Sequence, residues 1–466
     1  MNTMNLRVLA DIVGGELKGA DLSVSAISSD TRSIQPGDLF VALPGENFNA
    51  NDFAKQAVAK GAVAALLSAD RELDIPYVKV VNTLDALTAL AADQRAKANI
   101  PLVGITGSNG KTSVKELLAS ILAPSKKVLA TAGNLNNQIG VPLTLLKLKP
   151  EHEVAVIEMG ASQSGDIKHL CAIAKPTVAI LNNVAAAHLA GFGSLDGVAQ
   201  AKAEIISGLS SDGTAILNKE EPWFEQWLEL LAERQVLSFG RSSEADVWAD
   251  FESMETGLSD GRFVTTFTLN YQQEAVLVRL RLIGQHNVMN ALAAAAAAIS
   301  LGLSLQQIQR GLEALNAVNG RMQVLKGIGG SVLVNDCYNA NPRSFEAAMD
   351  CLTHIDKPLW LVLGDFAELG ADSEKIHRKI GVDIANSDVR RFFAVGEKML
   401  VAVNAFNQQL SSSSRRAQHF MNKQHMADVL QQELGSEVLV LVKGSRSQGL
   451  ETVVEKLIHT EGAVCC

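Results

Sequence analysis

Cysteine is scarce in this chain of 466 residues: Cys171, Cys337, Cys351, Cys465 and Cys466 are odd in number, scattered and without C-x-x-C spacing. That pattern argues against a disulfide framework and against a zinc site, so reduced thiols are expected. The terminal Cys465-Cys466 pair does not make a prenylation signal, because the fourth-last position is Ala463, and it reads as a frayed tail. Proline is also sparse, at 11 residues, and no low-complexity segment appears beyond Ser411 to Ser414, so disorder is not indicated. Positive charge is in deficit: 41 Lys and Arg against 50 Asp and Glu give a net charge of -9. A net negative surface does not attract polyanions, which excludes non-specific binding to nucleic acid or anionic lipid. Long hydrophobic runs are missing too. The longest, Ala291 to Ile299, is far too short to span a bilayer, and no charged start with an apolar h-region opens the chain. A cytoplasmic protein without membrane insertion, and a monomer, is expected.

With 47% hydrophobic and 20% charged residues, the composition is that of an ordinary globular protein. The length exceeds the roughly 250–300 residues at which one core stops growing, so several domains are expected. Residues 1–99 alternate short apolar runs (Leu39 to Leu43, Ala62 to Leu67, Tyr77 to Val81) with Ala-rich helical stretches, as a small α/β unit does. Near Asn99 to Pro101 the pattern resets. In residues 100–318 the runs from Ile100, Val154 and Thr177 are short, β-branched and bounded by turn residues, as buried parallel strands are. Between about 213 and 283 the period shifts to two, which predicts antiparallel strands, and an Ala-rich helix over Asn290 to Leu301 follows. A further βα series fills residues 319–466, with strands expected at Val332 to Val334, Leu359 to Leu363, Phe392 to Val395 and Val438 to Val442. The fold class is therefore α/β with three domains: a small N-terminal one, a central parallel sheet with added antiparallel strands, and a Rossmann-like C-terminal one.

The stretch GITGSNGKTS, Gly104 to Ser113, carries the clearest chemistry. It departs from the commonest phosphate-binding loop, G-x-x-x-x-G-K-[ST], which needs Gly at the position of Ile105. After it, Val114, Leu117, Leu118, Ile121 and Leu122 form a helical stripe, so the loop opens an amphipathic helix. Gly107 and Gly110 let backbone N–H groups curl inward, the helix N-terminus adds partial positive charge, Lys111 can reach terminal phosphates, and Thr112 offers a hydroxyl to Mg²⁺. The alternative is a strand-turn-helix junction that merely contains G-K-T. Farther on, Val198, Ala201, Ile205, Ile206 and Leu209 form one apolar helix face with Lys202 inside it. Read alone, Lys202 is either a buried amine driven towards neutrality or a lysine that snorkels from a core helix.

T-G-x-x-G-K-[ST] is a shorter variant of the phosphate loop, and this version resembles that of the ATP-dependent Mur ligases and folylpolyglutamate synthases. The resemblance extends over essentially the whole chain. It implies ATP and Mg²⁺ as cofactors, with Gly107, Ser108, Asn109, Gly110, Lys111, Thr112 and Ser113 around the phosphates. It implies Mg²⁺ binding by Thr112, by Glu158 at the end of the VAVIE strand, by His188 in Ala187-His188-Leu189, and by Lys202 as a carbamate. Lys111, Glu158, His188 and Lys202 are accordingly the catalytic set. GQHNVMN (Gly284 to Asn290) matches the adenine-side motif, which implicates Asn287 and Asn290. Gly320-Arg321 matches the family's G-R, whose Arg approaches the phosphates. In VNDCYNANP (Val334 to Pro342), Asp336 resembles the ribose-binding Asp, and Tyr338 would pack on the nucleoside. Many relatives have Asp-Asp-Ser where this chain has Asn-Asp-Cys.

Further motifs narrow the resemblance to the branch that joins D-alanyl-D-alanine to UDP-N-acetylmuramoyl-tripeptide: SDTR (Ser29 to Arg32), PGDLFVALPG from Pro36, TAGNLNNQIGVP from Thr131, GDFAELG from Gly364 and KGSR from Lys443. The first domain would then hold the UDP end, with Ser29, Asp30, Thr31 and Arg32 near uracil or ribose and Asn134 and Asn137 also on the substrate. The third domain would complete the ATP and dipeptide sites. Asn341-Pro342-Arg343 echoes the D-N-P-R motif of the diaminopimelate-adding relative but lies much too early in the third domain. The remaining alternatives are a ligase that adds diaminopimelate or lysine, and a degenerate ATP-binding regulator, although the latter would be expected to lose Lys111, Glu158, His188 or Lys202.

Overall fold

The structure is a computed structural model that describes residues 3–45, 49–186, 189–259, 262–315, 319–353, 355–410 and 415–458. His188, Ser411 to Ser414 and Cys465-Cys466 lie outside the described residues.

Three principal sheets organise the chain. In the first, strands Ile27–Ser28, Leu39–Val41, Ala64–Leu67 and Tyr77–Lys79 run parallel, and Glu16–Lys18 closes one edge antiparallel. Helix Thr83–Lys97 then leads almost directly into the next sheet at Leu102. Its Arg95 is buried and donates to the carbonyls of Ala174 (2.7 Å), Lys175 (3.2 Å) and Ala98 (2.6 Å), while Gln94 Nε2 donates to Leu148 O at 2.7 Å. One hydrophobic cluster runs from Leu6 and Leu87 in the first unit to Ile157, Ile206 and Trp227 in the second. The first unit is therefore packed onto the second and not tethered by a linker.

The second sheet has 10 strands. Leu102–Thr106 sits inside it, with Val154–Glu158 on one side and Val178–Leu181 on the other, both parallel. The chain winds first one way from this strand and then the other, so its carboxyl end is a topological switch point, where open α/β sheets bind ligands. All of Leu102–Thr106 is buried, which explains the uninterrupted apolar run that marks it in the sequence. The expected antiparallel region is real only in part. Thr214–Asn218, Gln235–Gly240 and Val247–Trp248 continue the parallel sheet, and the antiparallel strands are Glu255–Ser259, Arg262–Tyr271 and Glu274–Leu280. Within this region, alternation of buried and more exposed residues is seen in Arg262–Tyr271 from Phe263 onward and at the end of Glu274–Leu280. The Ala-rich helix spans Gln285–Ser300 and does not close the unit: Leu305–Ala314 packs after it.

The third sheet has six strands in the order Gln323–Lys326, Val332–Asp336, Leu439–Lys443, Leu359–Gly364, Arg391–Val395 and Arg416–Phe420, all parallel but the first. The last strand in sequence is thus inserted beside the second, bringing Lys443 next to Asp336. Cys171, Cys337 and Cys351 are buried and form no disulfide. Among the described residues, no helix is long and apolar enough to cross a membrane.

Candidate active site

The phosphate-loop segment sits at the switch point. Gly110 caps helix Lys111–Leu122 with φ +78°, and a Cβ there would fall 2.3 Å from Asn290 Oδ1 and 2.6 Å from Asn182 Nδ2, so only glycine fits. The predicted stripe from Val114 to Leu122 is buried. Lys111 folds back, its Nζ donating to Gly107 O at 2.8 Å. Burial lowers its pKa, Glu158 opposes that shift, and the Arg321 charge adds to it. The loop amides do not all face the cleft: Ser108 N–H donates to Asn183 O (2.9 Å) and Asn109 N–H to Asn183 Oδ1 (2.8 Å). Those two hold the loop to the neighbouring strand's end.

Glu158, 3% exposed, ends its strand beside the loop. Its Oε2 accepts from Thr112 Oγ1 at 2.9 Å, its Oε1 from Asn136 Nδ2 at 2.8 Å, and its backbone N–H donates to Thr131 Oγ1 at 3.0 Å. The Thr112 hydroxyl in turn accepts from Arg321 Nη2 at 2.9 Å. A buried carboxylate and a hydroxyl side by side are hard oxygen donors of the kind Mg²⁺ takes. Among the described residues no group of three or more His, Cys, Asp or Glu could hold a metal by itself. Such a donor set suits an ion that keeps waters and phosphate oxygens as its remaining ligands.

Lys202 lies on helix Leu195–Ser207, which starts at an N-cap where Ser194 Oγ accepts from Gly197 N–H. Its side chain is 3% exposed, with Nζ 6.0 Å from the centre of the Phe192 ring, and it borders the same cleft. This is a buried lysine and not a snorkelling one. Burial first, and the charge of Lys111 second, pull its pKa down to about 7. Near neutrality a large share of the amine is uncharged and nucleophilic.

On the far side, Asn287 and Asn290 are buried at the start of helix Gln285–Ser300. Asn287 Nδ2 donates to Ile283 O (2.8 Å), Asn290 Nδ2 to Asn287 Oδ1 (3.3 Å), and Asn182 Nδ2 to Asn290 Oδ1 (2.8 Å). With Asn182 Nδ2 also donating to Asn109 O at 3.0 Å, this chain of amides links the GQHNVMN segment to the loop at 107–113. From the third sheet, Arg321 stacks 4.2 Å over the Tyr338 ring. Asp336 Oδ2 pairs with the buried Lys443 ammonium at 2.6 Å, and its Oδ1 accepts from Met322 N–H. Two more bonds cross between the second and third units: Asn341 Nδ2 to Asn109 Oδ1 (2.8 Å) and Arg343 Nη1 to Val184 O (2.7 Å). In the Asn-Pro-Arg triplet, Asn341 and Arg343 thus make contacts between units.

These groups, with Asn134, Asn137 and Ser113, border one cleft of about 1190 Å³. Asn137 Oδ1 is occupied by the N–H groups of Ile139 and Gly140. Ser29, Asp30, Thr31 and Arg32 do not border the cleft. Arg32 clasps Asp30 at 2.7 Å and holds its carboxyl down to about 2, and Thr31 Oγ1 reaches Gln56. Sequence reasoning missed Asn136, Asn182, Asn183 and Lys443 as individuals. Asn136 and Lys443 lie inside motifs that were visible, TAGNLNNQIGVP and KGSR, whereas Asn182 and Asn183 only closed a strand.

Comparison with known proteins adds family-level findings. Residues 105–298 match the Mur ligase middle domain, 320–446 the Mur ligase glutamate ligase domain, and 23–101 the Mur ligase family catalytic domain. The chain is 42% identical over 459 residues to a UDP-N-acetylmuramoyl-tripeptide–D-alanyl-D-alanine ligase of Escherichia coli (strain K12), covering 98% of this chain and 99% of that one. A Bacillus subtilis protein of the same name is 32% identical, at 97% and 98% coverage. Among solved structures, MurF from Acinetobacter baumannii superposes with TM-score 0.88 at 33% identity and 98% coverage of both chains. MurF ligase from Thermotoga maritima in complex with ADP gives 0.80 at 27% identity, with 93% and 97% covered.

Proposed function

The chain belongs to the Mur ligase family, and from that premise we propose that it is the ATP-dependent ligase that joins D-alanyl-D-alanine to UDP-N-acetylmuramoyl-tripeptide in peptidoglycan precursor synthesis. The observation that carries this reading is the end-to-end match to ligases of that activity, 98% of the chain at 42% identity. The site offers a chemical rationale. A carboxylate oxygen of the tripeptide attacks the γ-phosphorus of ATP, ADP leaves, and an acyl phosphate forms. The dipeptide amine then attacks the acyl carbon, and phosphate departs with the oxygen that came from the tripeptide.

Both steps move a group of high negative charge, so catalysis rests on positioning and electrostatics. Lys111 would neutralise the transferred phosphoryl group, and Arg321 would approach it from the third unit. Asn287 and Asn290 would face adenine, Asp336 the ribose and Tyr338 the nucleoside. Thr112, Glu158, His188 and the carbamate of Lys202 would hold Mg²⁺, which supplies charge neutralisation at the phosphates when bound. The first unit, 1–99, would hold the UDP end through Ser29, Asp30, Thr31 and Arg32, with Asn134 and Asn137 also on the substrate. Units 100–318 and 319–466 would close on ATP and the dipeptide. We assign the enzyme to the cytoplasm, as a monomer. The test is to incubate the protein with ATP, Mg²⁺ and UDP-muramoyl-tripeptide, offer D-alanyl-D-alanine or free amino acids, and weigh the product. Mass gain with diaminopimelate or lysine, and none with the dipeptide, overturns the reading.

A further inference from the structure

We propose that His377, which touches neither the cleft nor any reacting group, is a positioning residue that presets the loop 365–369 to receive the dipeptide. The inference rests on the functional reading above. The loop leaves strand Leu359–Gly364, and its Ala367, Glu368 and Leu369 border the cleft. His377, on helix Ser373–Ala385, is fully buried behind it. Its Nε2 lies 3.1 Å from the backbone nitrogen of Phe366, and its Nδ1 lies 2.7 Å from Ser373 O. An amide N–H can only donate and a carbonyl can only accept, so the ring carries its proton on Nδ1 and offers the Nε2 lone pair to the loop. The ring also packs against Phe366, whose other neighbour is Phe345 at 5.8 Å, edge to face.

The next amide is fixed as well. Ala367 N–H donates to Ser445 Oγ at 2.7 Å, Ser445 N–H donates to Asp365 O at 3.1 Å, and Asp365 Oδ1 accepts from Met399 N–H at 2.8 Å. Between these anchors and Gly370, Glu368 adopts φ +63°, a left-handed conformation that a residue with a side chain keeps only when its surroundings impose it. His377, Asp365 and Met399 lie outside the cleft lining, whereas Ser445 borders it, so the exposed segment is held from behind by the histidine and from the cleft edge by the serine. D-alanyl-D-alanine offers an ammonium, one amide, a carboxylate and two methyl groups. A ligand with so little side chain is recognised by fixed backbone and polar positions, and an unanchored loop would not supply them.

Steady-state kinetics on the full-length protein test this with His377→Leu, which removes the acceptor, and His377→Gln, whose amide oxygen can take its place. We expect His377→Leu to raise the KM for D-alanyl-D-alanine by about 10- to 100-fold, the scale of a misplaced positioning group, and to leave the KM for ATP and for the peptide nucleotide within about twofold. His377→Gln should recover most of the loss. Asp365→Ala, outside the cleft lining, releases the same loop from its anchor at Met399 N–H and should raise the same KM, which keeps the test decisive if His377→Leu does not fold. An unchanged dipeptide KM in these variants, or an equal rise for all three substrates, overturns the assignment. A wild-type protein that turns over no dipeptide at all overturns the functional reading instead.

Discussion

Arg321 Nη2 donates to Oγ1 of Thr112 at 2.9 Å across 209 residues of sequence, and the same hydroxyl donates to Glu158. The third unit thereby reaches the first turn of the phosphate-loop helix. Chemistry that needs both units needs this approach, as lids do elsewhere. Small-angle scattering should show compaction when an ATP analogue and the peptide nucleotide are added together. Arg321→Ala should reduce that compaction and cut turnover by about 10²-fold, as loss of a transition-state contact does. A competent sample whose radius stays constant would defeat the closure step and mean that the units already stand together without ligand.

In the proposed function Lys111 neutralises the transferred phosphoryl group. Its replacement by Ala should cost at least about 10²-fold in turnover. Thermal stability should barely change, because the bond lost is to a single loop carbonyl, Gly107 O. Wild-type turnover in Lys111→Ala would rule out the phosphate-cradle role.

Lys202 combines a stability cost with a chemical use. Its pKa of about 7 in the fold stands against 10.5 in the unfolded chain. Between those values the unfolded state binds the extra proton, so stability rises with pH across the window, and the full penalty applies below about 7. With CO₂ excluded, Lys202→Met should therefore be more stable than wild type at pH 6.5 or so, by a few kcal/mol, and the gap should close above the unfolded value. Activity should move the other way. Lys202→Ala should lose most turnover and regain part of it with acetate, while Lys202→Arg stays inactive because guanidinium keeps its charge. A fully active Lys202→Arg would defeat the carbamate assignment.

The acyl phosphate predicts the path of one oxygen. ¹⁸O placed in the terminal carboxylate of the tripeptide should appear in released phosphate, read by mass spectrometry. Label retained only in the peptide product would demand another route of activation.

Arg95 joins the first unit to the second through carbonyls at the end of helix Asp166–Ala174. Arg95→Ala leaves the buried Ala174 carbonyl without this donor and should cost about 1.5–3 kcal/mol of stability, the scale of bonds to a charged donor. Chemical denaturation should show the loss, with the KM for ATP unaltered. A variant as stable as wild type would mean that the shared hydrophobic cluster alone holds the units together.

What the sequence determined by itself is local. GITGSNGKTS predicts its own strand, turn and helix, because backbone freedom at Gly110 and a 3.6-residue apolar stripe are properties of neighbouring residues. The same period placed Lys202 on a buried face, and burial alone accounts for most of its depressed pKa. A short apolar run does not reveal its direction, so the sequence does not distinguish Thr214–Asn218 and Gln235–Gly240 from the antiparallel strands that follow, and the edge strand Arg416–Phe420 leaves no signal because its sequence, RAQHF, is mostly polar. The tertiary structure alone decided which distant residues meet. Lys443 reaches Asp336 only because the last strand inserts next to an earlier one, Asn341 reaches Asn109 only because two units face each other, and His377 holds Phe366 only because its helix folds back behind the loop. Strand order and packing set these pairs, and neither leaves a periodic trace along the chain.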